Sequence, residues 1–200
     1  MYAIVEQTLK AGSCEIHCLE AGDPGGRSVV LLHGRNFQAE TWRDLQTIHR
    51  LAQAGYHVRA ADLPGFGRSP SCSAPPVAVL EKLLAETPVA DPVLVGPSMS
   101  GRIVLEFALD HPSIPAGLVL VGAVGVRENR DRLASIEVPT LVVWGSEDTV
   151  SPPENGEILE ASIPGARRVV LEGAPHPCYL DQPDRWHDEL LSFLRGSFQA

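Results

Sequence analysis

Apolar residues recur along the chain in short runs that end in glycine or a polar turn, and several lead into segments of helical periodicity. Runs that are apolar at nearly every position are typical of strands covered on both faces, whereas runs that alternate between apolar and polar residues are typical of strands with one solvent-exposed face. The pattern therefore predicts an α/β fold with a mostly parallel sheet and helices on both faces. Six runs predict the buried strands: SVVLLHG, HVRAADLPG, PVLVGPS, AGLVLVGAV, TLVVWGSED and RRVVLEGA.

Two further runs near the start, YAIVEQTL and CEIHCLEAG, are separated by a short turn around AGS. They predict an antiparallel hairpin at one edge, which brings the sheet to eight strands. Helical periodicity predicts a helix from Thr41 to Ala54, followed by a left-handed Gly55, and a last helix late in the chain. The apolar faces of these helices are Trp42, Leu45, Ile48 and Ala52 in the first, and Trp186, Leu190, Phe193 and Leu194 in the second.

The composition constrains partners and location. A chain of 200 residues that is 44% hydrophobic can bury one sizeable core, so we expect a single domain over residues 1–200. The net charge of −9 and the scattered arginines leave no basic surface for phosphates, which argues against nucleic acid as a partner. The longest apolar run, residues 118–126, is much shorter than a membrane span, and the start has no signal-peptide pattern. We therefore expect no membrane association and a cytoplasmic location.

The cysteines form no recognisable metal or redox motif. Cys14, Cys18, Cys72 and Cys178 contain no CxxC pair and no metal-ligand spacing. The expectation is four free thiols in a reducing compartment, and no metal. The glycine-rich stretch ADLPGFGRS at 61–69 lacks both the GxGxxG spacing and a following lysine, so no phosphate-bearing cofactor is predicted.

The motif GPSMSG at 96–101 follows a predicted buried strand and opens a helical segment. A serine presented on such a strand-to-helix elbow needs small residues two positions before and after it, because the turn is tight. Ser98 meets this condition with Gly96 and Ser100, whereas Ser100 would have Arg102 two positions on. Ser98 is therefore the predicted nucleophile, and the alternative is a serine-rich loop that only caps a helix.

An activated serine needs a base to take its proton and a carboxylate to orient that base. On an elbow of this kind the groups follow in the chain order serine, acid, histidine. Asp148 follows the run TLVVWG and His176 follows RRVVL, so both leave the carboxyl ends of strands, where open α/β sheets build their sites. Glu147 is the alternative acid and Asp131 a weaker one. A dyad of His176 with Cys178 is less favoured, because no elbow presents that thiol.

Backbone N–H groups are predicted to bind the oxyanion that forms when the serine attacks. The N–H of Met99 directly follows the nucleophile, and the N–H of Arg35 follows the buried strand SVVLLHG. Asn36 and Phe37 are predicted substrate contacts, and His33 is expected to brace this loop. The guanidinium of Arg35 is either a further substrate contact or an ordinary exposed side chain.

The stretches HGRNF with TW, DLPGFGRS, the serine elbow, GSED and the late histidine together resemble the α/β-hydrolase superfamily along essentially the whole chain. More narrowly, residues 40–56, 97–101 and 176–187 are similar to the small capless hydrolases of the CIB type. The resemblance implies the same nucleophile, acid and base, short acyl substrates and no cofactor, and it alone implies a protein partner. Pro175 departs from the glycine that often precedes the histidine in this superfamily.

The segment before the run TLVVWGSED, residues 126–138, has room for one short helix where larger relatives insert a lid. An open site covers little of a ligand, which favours short acyl groups or acyl groups carried on something larger. The sequence therefore predicts a serine hydrolase that cleaves short acyl esters through an acyl-enzyme. The first alternative is acyl transfer or deacylation of a small amide or thioester, and the second is a binding or adaptor module without turnover.

Overall fold

The computed structural model describes residues 2–87, 89 and 91–198 of the chain. By its internal contacts the chain divides into two compact units, residues 1–94 and residues 95–200. In both units the buried positions are mainly aliphatic residues of strands and the inner faces of helices. The single domain predicted over the whole chain stays a prediction.

The first unit contains the antiparallel hairpin and the beginning of the parallel part of the sheet. Its strands are β1 Val5–Ala11, β2 Cys14–Ala21, β3 Ser28–Leu31, β4 His57–Ala61 and the start of β5 Val93–Pro97, and its helices are α1 Ala39–Asp44, α2 Thr47–Gln53 and α3 Pro76–Glu86. β1 pairs antiparallel with β2, β2 antiparallel with β4, and β4 parallel with β3. The strand order is β1-β2-β4-β3-β5. Helix α3 was not among the sequence predictions.

The second unit continues the sheet in the order β5-β6-β7-β8. Its further strands are β6 Gly117–Val121, β7 Thr140–Gly145 and β8 Arg167–Leu171, and its helices are α4 Met99–Asp110, α5 Glu154–Ser162, α6 Cys178–Asp181 and α7 Pro183–Ser197. A 3-10 helix, Arg127–Ser135, lies between β6 and β7. None of the helices in the described part of the chain combines the length and apolar character that crossing a bilayer requires.

The register of the parallel strands brings three loops to one edge. Val121 at the end of β6 is opposite Val143 of β7, and Gly145 at the end of β7 is opposite Leu171 at the end of β8. Every position of β5, β6 and β7 is buried, as expected for strands covered on both faces. The predicted α/β fold, with an eight-stranded, mostly parallel sheet and an antiparallel N-terminal hairpin, is confirmed.

The helix predicted from Thr41 to Ala54 is instead two helices, α1 and α2. Gln46 between them has a φ of 65°, a left-handed conformation that no continuous α-helix contains. Of the predicted apolar positions, Trp42, Ile48 and Ala52 are nevertheless fully buried, whereas Leu45, next to the break, is only half-buried. A periodic pattern reports which side of a helical segment is buried, and it does not register a one-residue break. Gly55 has a φ of 93°, as predicted.

The prediction that all four cysteines are free thiols is wrong for one pair. Cys14 at the start of β2 and Cys72 in the loop before α3 form a disulfide across a sequence separation of 58 residues, while Cys18 and Cys178 are free and buried. The spacing along the chain carries no signal for this bond, because only the folded first unit brings the two Cα atoms to 5.7 Å. The cysteines therefore no longer support the predicted reducing compartment.

Cys72→Ser should lower the free energy of unfolding, because the disulfide closes a long loop and restricts the unfolded chain. The expected loss is about 2–4 kcal/mol in urea unfolding under non-reducing conditions. The native protein treated with a dithiol should match the variant, and the variant itself should not respond to the dithiol. Identical unfolding of the native protein with and without the dithiol would contradict the assignment.

Candidate active site

Ser98 lies at the turn between β5 and α4 and has backbone angles of φ 52° and ψ −113°. A positive φ is uncommon for a residue with a side chain, and such conformations cluster at functional sites. Two hydrogen bonds hold the turn: Ser98 N–H donates to Val121 O over 2.8 Å, and Val124 N–H donates to Ser98 O over 3.2 Å. The predicted strand-to-helix elbow is therefore present and is bonded to the segment that follows β6.

Two glycines let the chain pass close to its neighbours at this elbow. A Cβ on Gly96 would lie 2.5 Å from the carbonyl oxygen of Ser100, and a Cβ on Gly101 would lie 2.5 Å from the Cβ of Ala123. Both distances are far below van der Waals contact, so neither position has room for a side chain. The requirement for a small residue at Gly96 was expected, whereas the close approach of Gly101 to Ala123 has no signal in the motif.

The structure separates the two serines of the elbow. Ser100 is fully buried, and its Oγ–H donates to Pro97 O over 3.0 Å. Ser98 is only half-buried. Arg102 extends towards solvent and pairs with Glu106, so the position two residues after Ser100 carries a long charged side chain. Of the two hydroxyls, that of Ser100 is thus occupied within the turn, which favours Ser98 as the reactive one.

His176 and Asp148 form a direct hydrogen bond. The Nδ1–H of His176 donates to Asp148 Oδ2 over 2.7 Å, and the side chains are 11% and 1% exposed. The second carboxylate oxygen, Oδ1, accepts the backbone N–H groups of Val150 and Ser151 over 2.9 and 2.8 Å. The carboxylate is therefore fixed from both sides, and it holds the imidazole in the tautomer whose Nε2 can accept a proton.

The alternative acids differ from Asp148 in exposure. Glu147 is exposed, and its backbone N–H donates to Ala174 O over 3.1 Å, which ties the loop after β7 to the loop before His176. Asp131 is exposed on the 3-10 helix. The carboxylate that the structure joins to His176 is that of Asp148, and the departure at Pro175 leaves this hydrogen bond in place.

Gly122, which the sequence analysis did not single out, lies against the histidine–aspartate pair. Its φ is 51°, and a Cβ on it would lie 3.0 Å from both His176 Nδ1 and Asp148 Oδ2. Any side chain at this position would intrude on the pair. The only signal in the sequence is a glycine directly after an apolar strand, and that arrangement is too common to mark a site.

The loop that carries the second predicted oxyanion donor belongs to the first unit and is braced by His33. The Nδ1–H of His33 donates to Gly34 O over 2.8 Å, and Leu63 N–H donates to His33 Nε2 over 3.0 Å. Burial lowers the pKa of His33, so the ring is neutral near pH 7 and can accept as well as donate. The bracing role expected for His33 agrees with these bonds. Arg35 is exposed, and Met99 is the first residue of α4.

The predicted substrate contacts follow Arg35 in the same loop. Asn36 is exposed and Phe37 is half-buried, with Phe37 N–H donating to Gly34 O over 3.0 Å. The loop ends where Ala39 N–H donates to the buried carboxylate of Asp62 over 2.6 Å. Both residues thus lie on a short loop that is held at each end, and their part in substrate binding stays a prediction.

Cys178 does not have the properties of a nucleophile. It is buried at the start of α6, and burial, with a further contribution from the charge of Asp148, raises the pKa of its thiol to about 12. The reactive form of cysteine is the thiolate, which is a negligible fraction at neutral pH under these conditions. The alternative dyad of Cys178 with His176 is therefore not supported.

Nothing like a lid domain follows β6. The 3-10 helix Arg127–Ser135 matches the one short helix predicted for this segment. Within it, the Nδ2–H group of Asn129 donates to Gly125 O over 2.9 Å and to Glu106 Oε1 of α4 over 3.4 Å. Among the residues that the structure describes, no group of His, Cys, Asp and Glu side chains could hold a metal ion.

Comparison with known proteins agrees with this geometry. The family model described as "alpha/beta hydrolase fold" matches residues 27–131 and 124–183 of the chain. The chain is similar to a crystal structure of a "predicted CIB-like hydrolase" from Thermoplasma acidophilum, with a TM-score of 0.94 and 28% identity. The similarity covers 98% of this chain and 100% of that one.

Curated relatives are similar over most of the chain. A Pongo abelii protein named "Putative protein-lysine deacylase ABHD14B" is 37% identical over 210 aligned positions, which cover 98% of this chain and 99% of the relative. The Homo sapiens protein of the same name is 39% identical, covering 84% of this chain and 83% of the relative. Protein ABHD14A of Homo sapiens is 36% identical over 83% of this chain and 63% of its own length.

Gly122→Ala should disturb the histidine–aspartate pair, and Gly165→Ala provides a matched control. Both glycines have positive φ, but a Cβ on Gly165 would meet nothing within 4 Å. Both variants should therefore lose about 1–2 kcal/mol of stability from the backbone alone. The downfield NMR signal of the His176 Nδ1–H, assigned by its loss in His176→Gln, should shift or disappear only in Gly122→Ala. An unchanged signal in that variant would contradict the proposed contact.

Proposed function

The chain belongs to the alpha/beta hydrolase fold family, and from this membership we propose that it is a serine hydrolase that cleaves short acyl esters. The observation that supports the proposal most directly is the 2.7 Å hydrogen bond between His176 and Asp148. The pair lies against Gly122, and the backbone groups of Val121 and Val124, on either side of Gly122, are hydrogen-bonded to Ser98. Ser98, Asp148 and His176 follow in the chain order serine, acid, histidine, which is the order of the triad that carries out acyl transfer on this fold.

In the proposed mechanism Ser98 Oγ attacks the acyl carbonyl while His176 Nε2 takes the hydroxyl proton. The developing oxyanion is assigned to the backbone N–H groups of Met99 and Arg35. When the bond to the leaving group breaks, His176 returns the proton to it, and Asp148 keeps the imidazolium in place. A water molecule, activated by the same histidine, then releases the acid from the acyl-enzyme. No step of this mechanism needs a cofactor or a metal.

The short helix between β6 and β7 supports small acyl groups, because it offers little surface to enclose a long chain. The same parts can cleave a small amide or thioester, or pass the acyl group to another acceptor. The name of the first two curated relatives describes a protein-lysine deacylase, so an acyl group on a lysine side chain is a specific candidate. A flexible lysine arm could carry the acyl group into an open site, and a protein would then be the partner.

The remaining alternative is a binding or adaptor module without turnover, which the hydrogen-bonded pair and the elbow disfavour.

The sequence predicted a cytoplasmic location. The disulfide between Cys14 and Cys72 favours an oxidising environment instead, because disulfides persist poorly where thiols are kept reduced. Location therefore stays a prediction that fractionation of the source cells would test.

Ser98→Ala should lower the turnover of p-nitrophenyl acetate by about 1000-fold or more, because the attacking oxygen is lost. Ser100→Gly should retain most of the activity, since its hydroxyl only bonds to Pro97. A fluorophosphonate probe should label the native protein stoichiometrically and Ser98→Ala not at all. Loss of activity in Ser100→Gly with retention in Ser98→Ala would reverse the assignment. A native protein that is never labelled would support the adaptor.

Activity on p-nitrophenyl esters should be highest for short acyl chains and fall as the chain lengthens. The same panel should include thioesters and peptides with acetylated lysine, each assayed against native protein and Ser98→Ala. Turnover of the lysine peptides that Ser98→Ala abolishes would favour deacylation over simple ester cleavage. A kcat/KM that rises through long acyl chains would show that another segment encloses the substrate, contrary to the proposal.

A further inference from the structure

Ser151, in the loop between β7 and α5, joins the candidate acid to the segment after β6. The residue is 1% exposed, and its backbone N–H donates to Asp148 Oδ1 over 2.8 Å. Its Oγ–H donates to Ala123 O over 2.7 Å, and the same Oγ accepts Asn155 Nδ2–H over 3.0 Å. Ser151 O in turn accepts the indole N–H of Trp144 over 2.8 Å. The N–H group, the carbonyl oxygen and the hydroxyl of Ser151 thus all form hydrogen bonds.

The acceptor of the Ser151 hydroxyl, Ala123 O, belongs to the segment that also contacts the proposed nucleophile. Ala123 is preceded by Gly122, which lies against His176, and followed by Val124, whose N–H donates to Ser98 O. The hydroxyl of Ser151 therefore connects the loop that carries the acid with the segment that touches both the base and the elbow. Any backbone carbonyl would satisfy the hydrogen-bonding capacity of a buried serine hydroxyl. The acceptor here is Ala123 O, which lies between the contacts of the base and those of the elbow.

We propose that Ser151 is a positioning residue whose hydroxyl bond to Ala123 sets where Asp148 holds His176 relative to Ser98. This inference rests on the proposed function. The bond from the Ser151 backbone to Asp148 does not involve the hydroxyl and would survive its removal. Loss of the hydroxyl would therefore leave the carboxylate with its backbone donors but free the loop to move relative to Ala123. A shift of about 1 Å in a reacting group can cost up to about 100-fold in rate.

Ser151→Ala should lower kcat for p-nitrophenyl acetate by roughly 10-fold to 100-fold and leave KM nearly unchanged, because the buried hydroxyl does not touch substrate. Ser151→Thr keeps the hydroxyl and should restore most of the activity. Thr140→Val is the matched control: it removes another buried hydroxyl that donates to a backbone carbonyl, Val138 O at 3.0 Å, at the opposite end of β7. Both deletions should lower the urea midpoint, and only Ser151→Ala should lower kcat.

The His176 Nδ1–H signal in NMR spectra tests the same inference without turnover. It should shift or broaden in Ser151→Ala and stay as in the native protein in Thr140→Val. A kcat within twofold of native in Ser151→Ala, or a fall no larger than that in Thr140→Val, would overturn the inference. If the native protein turns over no ester, the proposed function fails and the NMR signal alone decides: an unchanged signal in Ser151→Ala overturns the positioning role. If Ser151→Thr does not fold, the other two variants carry the test.

Discussion

The segment that begins at the last residue of β6, residues 121–124, is in contact with all three residues of the proposed triad. Its backbone groups bond to Ser98 on both sides of Gly122, and Gly122 itself leaves the space that the histidine–aspartate pair occupies. The segment contributes no reactive group. Because Gly122 has no side chain, the proposed base and acid can approach this stretch of backbone, whose neighbouring groups bond to the proposed nucleophile.

The loops around this segment are joined to one another by further hydrogen bonds. Ser146 N–H donates to Leu171 O, and Gly173 N–H donates to Ser146 Oγ, so the loops after β7 and β8 form one network. Ser151 extends the network to Ala123. Since the parallel register already starts these loops at one edge of the sheet, a few short bonds are enough to fix the relative positions of Asp148 and His176.

In the first unit a buried carboxylate has the comparable organising role. Asp62 accepts hydrogen bonds from the N–H groups of Ala39 and Arg68 and from the ring of His17. It therefore holds both the start of α1 and the loop at 61–69. That loop is glycine-rich because it turns tightly around Asp62: a Cβ on Gly67 would lie 2.3 Å from the carboxylate.

The sequence by itself determined the strands, the elbow and the order of the proposed triad, because each has a local signature. Apolar runs report strands buried on both faces, and the small residues around Ser98 report a tight turn. The tertiary structure alone decided the Cys14–Cys72 bond, the break at Gln46, and the contacts of Gly122 and Ser151. These features depend on distances between residues far apart in the chain, or on one backbone conformation, and neither alters the local pattern of apolar and polar positions. Ser151 reads in the sequence as one serine among many, and only its burial between Asp148 and Ala123 distinguishes it.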